Sequence, residues 1–366
     1  MMNIVFITDT HGRANNPISR KDDFPITVLR KIEWAVELAN KHKAPLLHGG
    51  DWLQRPDVSP TFISSLARIL MEAKYGVYSV LGNHDIYSYN QDSFWRSPLS
   101  ILVNCGIITL VGRAGVEFYE KDKEDSATVC FVSGVSAHQT LDKNGRVEDY
   151  IVSQDQITHS FSPEDKVYSI HMVHGFLADH DWGKNIPHTL IDNTVEKNCA
   201  NVILTGHEHS GYNVIEKVNS DGHKIIYCNP GSLLRVTAGV GDMRDDVQAA
   251  LIQVTRDDIS VKLVKCPIAE EADKVLDRDK LEEEKTRNKS LEMFASKLSG
   301  ISEDFKVEKI EIKSAAEMLT KFVEEIKKDE ELSALTAEDI INESYSLLSE
   351  AEEQMQENSK KRRVSE

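Results

Sequence analysis

Cysteine is scarce in this chain of 366 residues, and its five thiols (Cys105, Cys130, Cys199, Cys228 and Cys266) are odd in number, far apart and without a Cys-x-x-Cys pair. That pattern excludes a disulfide framework or zinc knuckle and fits buried thiols in a reducing cytosol. Also missing is any apolar run near the ~18 residues of a membrane span, so no membrane partner is expected. Met1-Met2-Asn3 runs straight into an apolar stretch, with neither a charged n-region nor an apolar h-region for export. The expected compartment is the cytoplasm of a bacterial or phage-infected cell. Positive charge is in deficit too: 43 Lys+Arg against 60 Asp+Glu leave a net charge of -17. Such a balance disfavours a free-standing nucleic-acid binder that relies on bulk positive field, though it does not exclude DNA as a substrate. No internal repeat is visible.

What is present is a chain with 40% hydrophobic residues, enough for a substantial core. Its first half alternates strand and helix. Ile4–Thr8 reads as a strand, Ile26–His42 as a helix with Val28, Leu29, Ile32, Val36 and Leu38 at helical spacing, and Pro45–His48 as a second strand. Pro60–Lys74, with Phe62, Ile63, Leu66, Ile69 and Leu70 on one face, leads to a third strand, Val77–Leu81. This is a βαβαβ order, with functional groups expected at the strand carboxyl ends. Ser97–Asn104 reads as a helix, and Ile107–Val111 and Ala127–Ser133 as strands around a polar loop at Lys121–Ser126. The second half is richer in strands: Lys166–Val173 and Val202–Thr205 flank a helix-like Thr189–Asn198. Tyr212–Val218, a Ser220-Asp221-Gly222 turn, Lys224–Tyr227, Val247–Val254 and Ile259–Val264 follow. The expected fold class is α/β, with two sheets packed face to face in a four-layer α/β/β/α sandwich.

After Pro267 the composition turns acidic and helical, with 17 Lys+Arg and 27 Asp+Glu over residues 267–366. Ala272–Leu298 is charged with sparse apolar residues, and Lys306–Ile312 alternates briefly like a strand. Ser314-Ala315-Ala316-Glu317 is a capping box opening a helix that carries Met318, Leu319, Phe322, Val323 and Ile326. Another helix opens at Thr336. The expected organisation is a domain over 1–266 and an acidic, helical C-terminal region over 267–366. The terminal Lys360-Lys361-Arg362-Arg363 cluster reads as a solvated tail.

The chemistry sits where strands stop. Asp9-Thr10-His11 follows the first strand, Gly49-Gly50-Asp51 the second, and Gly82-Asn83-His84-Asp85 the third. His174 closes the run Val167–Val173, and Gly206-His207-Glu208-His209 closes Val202–Thr205. Alone, each motif has an ordinary reading: an Asx turn for Asn83, two satisfied surface histidines for His207 and His209. Together and in order they make a site for two hard-to-borderline metal ions. His171 competes with His174, being on the same strand. The strand gives way to a loop at Gly175, which favours His174 as the ligand and leaves His171 inside the strand.

This ordered set resembles the calcineurin-like metallophosphoesterase superfamily over about the first 240 residues. The resemblance implies that one metal is held by Asp9, His11 and His209 and a second by Asn83, His174 and His207, with Asp51 bridging. His84 matches the catalytic imidazole that meets the phosphate or leaving group. Asp85, Gln54, His171 and His188 are expected around these ligands. Two dications would activate a water and clamp phosphoryl oxygens. A mixed N/O ligand set with an amide oxygen suits manganese first, with iron, zinc or magnesium as alternatives.

Asn229-Pro230-Gly231-Ser232 adds a resemblance to the nuclease subunit of SbcCD-type double-strand-break repair complexes. That branch implies a DNA repair or recombination nuclease acting with an SMC-like ATPase bound through C-terminal helices, and it allows a homodimer. The rival expectation is a stand-alone phosphoesterase for nucleotides or other small phosphoesters. Arg235 and the Pro187-His188 pair are candidates for substrate phosphate. One position departs from the pattern: three residues after the bridging Asp the branch usually has Asp or His, and here stands Gln54. Its amide is expected to orient His84 without stabilising an imidazolium as a carboxylate would.

Overall fold

The computed structural model describes residues 1–277 apart from 18, 124–125, 144, 158–160 and 237–245. The strand expected at Lys306–Ile312, the helices opening at Ser314 and Thr336, and the basic cluster at 360–363 lie outside the described residues. The first half holds β1 (Met2–Ile7), α1 (Phe24–Lys41), β2 (Leu46–His48), α2 (Pro60–Leu70), β3 (Val77–Ser79), α3 (Leu99–Asn104), β4 (Thr109–Leu110), β5 (Val116–Lys123) and β6 (Ser126–Val135). The second half holds α4 (Gln154–Ile157), β7 (Lys166–Val173), β8 (Leu177–Ala178), β9 (Thr189–Leu190), β10 (Val202–Thr205), β11 (Tyr212–Val218), β12 (Lys224–Asn229), β13 (Gln248–Val254), β14 (Ile259–Lys265) and α5 (Ala272–Val275). No helix among the described residues is long and apolar enough to cross a membrane.

Two sheets of six strands form, ordered β14-β13-β1-β2-β3-β4 and β11-β12-β10-β7-β6-β5. In the first, β1, β2, β3 and β4 run parallel, and β13 closes antiparallel on β1. In the second, β6, β7, β10 and β12 are parallel, and β5 and β11 are antiparallel edges. Strand alternation then sorts side chains into three apolar layers. Ile4 and Phe6 of β1, Ile170 and Met172 of β7, and Val202 and Leu204 of β10 meet between the sheets. Val5 and Ile7 face α1 and α2 instead, and Val173 and Ile203 face the far side of the second sheet.

The helices covering the first sheet are specified locally. Asp23 caps α1 by accepting from the Ile26 N–H at 3.2 Å, and Pro25 lies in the first turn, where the missing N–H costs nothing. Phe24, Val28, Ile32, Ala35, Val36 and Ala39 make its buried stripe. Each fully buried Ile or Phe of this kind contributes roughly 1.5–3 kcal/mol. Ser59 and Pro60 open α2 in the same way.

The fold is the mixed α/β sandwich with two packed sheets that the pattern predicts. Two local expectations differ. Val116–Lys123 is a strand paired with β6, although its charged residues give no apolar run; it lies at a sheet edge where one face meets water. Thr189–Asn198 is not a helix: Thr189-Leu190 pairs with β8 and only Ile191–Thr194 winds, as a 3-10 turn. There Asn198 caps the Val152 N–H and donates to the Tyr150 and Thr194 carbonyls, competing with helix hydrogen bonds.

The compact unit runs Met1–Asp277. Its last residues fold against the start of the chain: Val275 accepts from the Lys21 N–H at 3.0 Å, and the Asp277 N–H donates to Ser19 at 2.8 Å. The helix expected from Ala272 stops at Val275, and Leu276 is extended, buried and bridged to Arg20.

Candidate metal centre

Three parallel strand ends of one sheet and two of the other deliver every candidate ligand to one place. Asp9 and His11 leave β1, Asp51 leaves β2, and Asn83 and His84 follow β3. His174 leaves β7, and His207 and His209 leave β10. The backbone is bent sharply to do this. Asp9, His11, Asp51 and His207 all have left-handed φ, at 53°, 44°, 56° and 76°. For non-glycine residues that conformation is costly, and its clustering at one spot marks a functional site. Gly82 is required because a Cβ there would run into the Asp51 carboxylate.

Two groups of ligand atoms face each other across Asp51. In one, His11 Nε2 lies 2.9 Å from His209 Nε2, and both are near Asp9 Oδ1, at 3.7 and 3.8 Å. In the other, Asn83 Oδ1 lies 3.2 Å from His174 Nε2 and 2.9 Å from His207 Nδ1. Asp51 Oδ2 stands between them, 3.8 Å from His11 Nε2 and 3.4 Å from His174 Nε2. The other oxygen, Oδ1, accepts the His84 N–H at 2.8 Å.

The surroundings hold these groups in place. Asp85 is fully buried, and its two oxygens accept the backbone N–H groups of Asp51, Gly82 and Leu53 at 2.9, 2.9 and 3.1 Å. His174 Nδ1 donates to the Gly49 carbonyl at 2.7 Å, which fixes its tautomer and turns the Nε2 lone pair toward Asp51 and Asn83. His84 Nδ1 donates to the main-chain carbonyl of Gln54 at 2.8 Å. The Gln54 side chain is not the orienting group: its Oε1 is buried with no partner. His171 faces the outer layer, because Ile170 and Met172 on either side face the inner one. It pairs with Ser133 Oγ at 2.7 Å and the Asp149 carbonyl at 2.9 Å, away from the centre. His188 is likewise apart, holding its own loop through the Trp182 N–H and the Ile186 carbonyl. Arg235 is buried and donates to the Glu270 carbonyl at 2.6 Å, bracing the last residues of the unit.

Two further contributors surround the candidate ligands, one a motif singled out in the sequence for another reason and one not anticipated. The Asn229–Ser232 turn clamps two ligand loops, since Ser232 Oγ donates to the Asp9 carbonyl at 2.7 Å and the Ser232 N–H to His209 at 3.1 Å. His48 stacks on Trp52 at 3.6 Å and accepts the Gly50 N–H, supporting the turn that carries Asp51. Its position directly before Gly49-Gly50-Asp51 was the available signal.

Over residues 2–211 the chain matches the family model described as calcineurin-like phosphoesterase. The chain belongs to this family. Solved structures to which it is similar include the following three. TT1561 of Thermus thermophilus is 12% identical over 72% of this chain and 99% of that one, with a TM-score of 0.39. Calcineurin-like phosphoesterase YfkN from Bacillus subtilis is 12% identical over 72% and 90%, with a TM-score of 0.43. Protein TM1076 of Thermotoga maritima is 13% identical over 73% and 100%, with a TM-score of 0.26. No curated protein matches the chain.

Family membership implies metal-dependent hydrolase activity, and the side chains fit divalent ions. Asp9, His11 and His209 converge within 4.8 Å through one ligand atom each, as do Asp51, His174 and His207. Such close approach of imidazole nitrogens and carboxylate oxygens, His11 Nε2 and His209 Nε2 only 2.9 Å apart, is what a shared cation compensates. The electrostatics agree. Burial raises the Asp51 carboxyl, but His174, His11 and His84 outweigh it and hold it far below the usual carboxylate range. Burial also raises Asp9, and His11, His174 and His209 bring it down. Burial lowers His174, yet Asp51 and Asp9 draw it up to about 10. Burial, with His174 nearby, pushes His207 down to about 4. Both carboxylates are therefore ionised at neutral pH, and a metal competes with the His174 proton for the same lone pair.

Proposed function

We propose that this calcineurin-like phosphoesterase is a phosphodiesterase that cuts DNA. One observation carries the diester reading: the centre is open on two sides. His209 is 30% exposed by side chain, and beyond Asn83, His174 and His207 a cleft of about 340 Å³ continues from the centre. A phosphoryl group held there can carry a substituent in both directions, as a diester must. Divalent ions, manganese foremost, supply Lewis acidity and an activated water when bound to Asp9, His11, His209, Asn83, His174, His207 and Asp51. The chain's own residues supply the rest. Asp9 and Asp51 offset positive charge, and the Asp85 brace fixes the Asp51 backbone. His84 is held through its Nδ1–H on the Gln54 carbonyl, so that its Nε2, protonated in the imidazolium form, can hand that proton to the leaving oxygen and be left neutral. The DNA substrate rests on the resemblance of Asn229-Pro230-Gly231-Ser232 to the nuclease branch. In this reading residues beyond 277 dock an SMC-like ATPase, which brings the positive surface that a chain of net charge -17 lacks.

The test is an assay with manganese on duplex and single-stranded DNA, a bis-aryl phosphodiester and an aryl phosphomonoester. DNA and the diester should be hydrolysed, the monoester poorly. His84→Ala should lose at least about a hundredfold in turnover with metal content unchanged. Hydrolysis of mononucleotides or cyclic nucleotides but not DNA would favour the small-molecule reading, which the size of the cleft also suits. A chain ending after Asp277 should keep diester hydrolysis and fail to copurify with an ATPase encoded beside it.

A further inference from the structure

The loop after Asp85 is built to hold one aromatic ring at the cleft. Ser88 and Tyr89 are consecutive non-glycine residues with left-handed φ, 51° and 57°. A tight set of hydrogen bonds imposes this: the Asn90 N–H donates to the Tyr87 carbonyl at 2.9 Å, and the Tyr87 N–H to Ser93 Oγ at 2.7 Å. Gln91 ties the loop to the Ala137 carbonyl at 3.0 Å. Packing repays the strain at Tyr89 only in part, because the residue is 45% exposed. What the conformation achieves is placement, since Tyr89 lines the same cleft as Asn83, His174 and His207. Phe176 is a further wall, its ring 6.1 Å from that of His207. Gln139 and Lys143 add an amide and an amine to the lining.

We propose that this cleft is a subsite for a single nucleobase, with Tyr89 as its stacking surface. Aromatic and apolar walls with the amides of Asn83 and Gln139 and the amine of Lys143 suit a flat heteroaromatic ring attached to a phosphate. The one lining carboxylate, Asp142, is already taken up by the Tyr150 hydroxyl, the Phe176 N–H and the Thr189 hydroxyl. A volume of about 340 Å³ admits one nucleoside unit and no duplex. The inference rests on the reading of the centre as a phosphodiesterase for DNA and names which part of the substrate is recognised: an unpaired nucleotide beside the scissile phosphate.

The experiment is calorimetry on the full-length chain with saturating manganese, titrating adenosine 5′-monophosphate and, separately, ribose 5-phosphate. The parent should bind the nucleotide about tenfold or more tighter than the sugar phosphate. Tyr89→Ala should erase that preference and Tyr89→Phe retain it. Equal affinity of the parent for the two ligands, or an undiminished preference in Tyr89→Ala, overturns the subsite. Hydrolysis is scored apart on the same preparations. Loss of the preference with DNA still cut rejects the subsite alone, whereas an intact preference with no DNA cleavage supports the subsite and rejects the nuclease reading.

Discussion

The two halves of the centre are built alike and charged differently. Asp9, His11 and His209 include a carboxylate of their own, whereas Asn83, His174 and His207 offer only neutral donors. Asp51 Oδ2 lies between them, and closer to His174 than to His11. The second half therefore depends on the shared carboxylate for all of its negative charge. Charge count, more than the number of ligands, sets how tightly a hard cation is held. The comparison teaches that two sites joined by one residue need not be equal.

Removing the shared group should have the largest effect. Asp51→Asn is expected to lower turnover by on the order of a thousandfold or more and to reduce bound metal at both positions, measured by elemental analysis after desalting. Retention of both ions would show that the halves stand independently. The next test asks which half is weaker. Stepwise chelation should release the ion at Asn83, His174 and His207 first. Asn83→Asp, which gives that half its own carboxylate, should tighten it by about tenfold or more. Simultaneous release in the parent would erase the asymmetry.

A smaller effect separates His174 from its strand neighbour His171. Burial holds His171 neutral, with its pKa pushed down to about 4. As pH falls below ~6.5 the unfolded chain takes up this proton and the native chain does not, so stability falls until about pH 4. The loss from this one group is roughly 2 kcal/mol by pH 5. His171→Gln should flatten that acid slope in denaturant melts at pH 7.5 and 5 and keep full metal content. His174→Gln should lose metal from its half. If His171→Gln releases metal instead, the strand parity argument is wrong. The smallest effect is expected at Gln54. Because the main-chain carbonyl anchors His84, Gln54→Ala should stay within about threefold of parent turnover, and Gln54→Asp should leave the pH–rate profile in place. An alkaline limb moved by about one unit would show that this side chain reaches His84 after all.

Much of this was legible in the residues. The helical stripe of α1 and its Asp23 cap are local properties, so periodicity finds them without the rest of the chain. The ligand types stand at strand ends because parallel strands share one carboxyl edge, so five short motifs in order already point to one place. Strand alternation even sorts His171 from His174, since Ile170 and Met172 fix which way His171 faces. The charged edge strand β5 and the Thr189–Asn198 segment were not legible. Pairing with β6 creates the first, and the hydrogen bonds of Asn198 unmake the second.

The sequence by itself determined the parallel core, the set of candidate ligands and the chemistry they can support, because residue type and spacing carry those. Only the tertiary structure set the distances at which the candidate ligands stand around Asp51, put a Gln54 carbonyl on His84, and brought Tyr89 to the cleft. These are distances between segments up to 198 residues apart, such as His11 and His209. No local pattern encodes them, because each depends on the register of two packed sheets and on backbone bends that only their surroundings sustain.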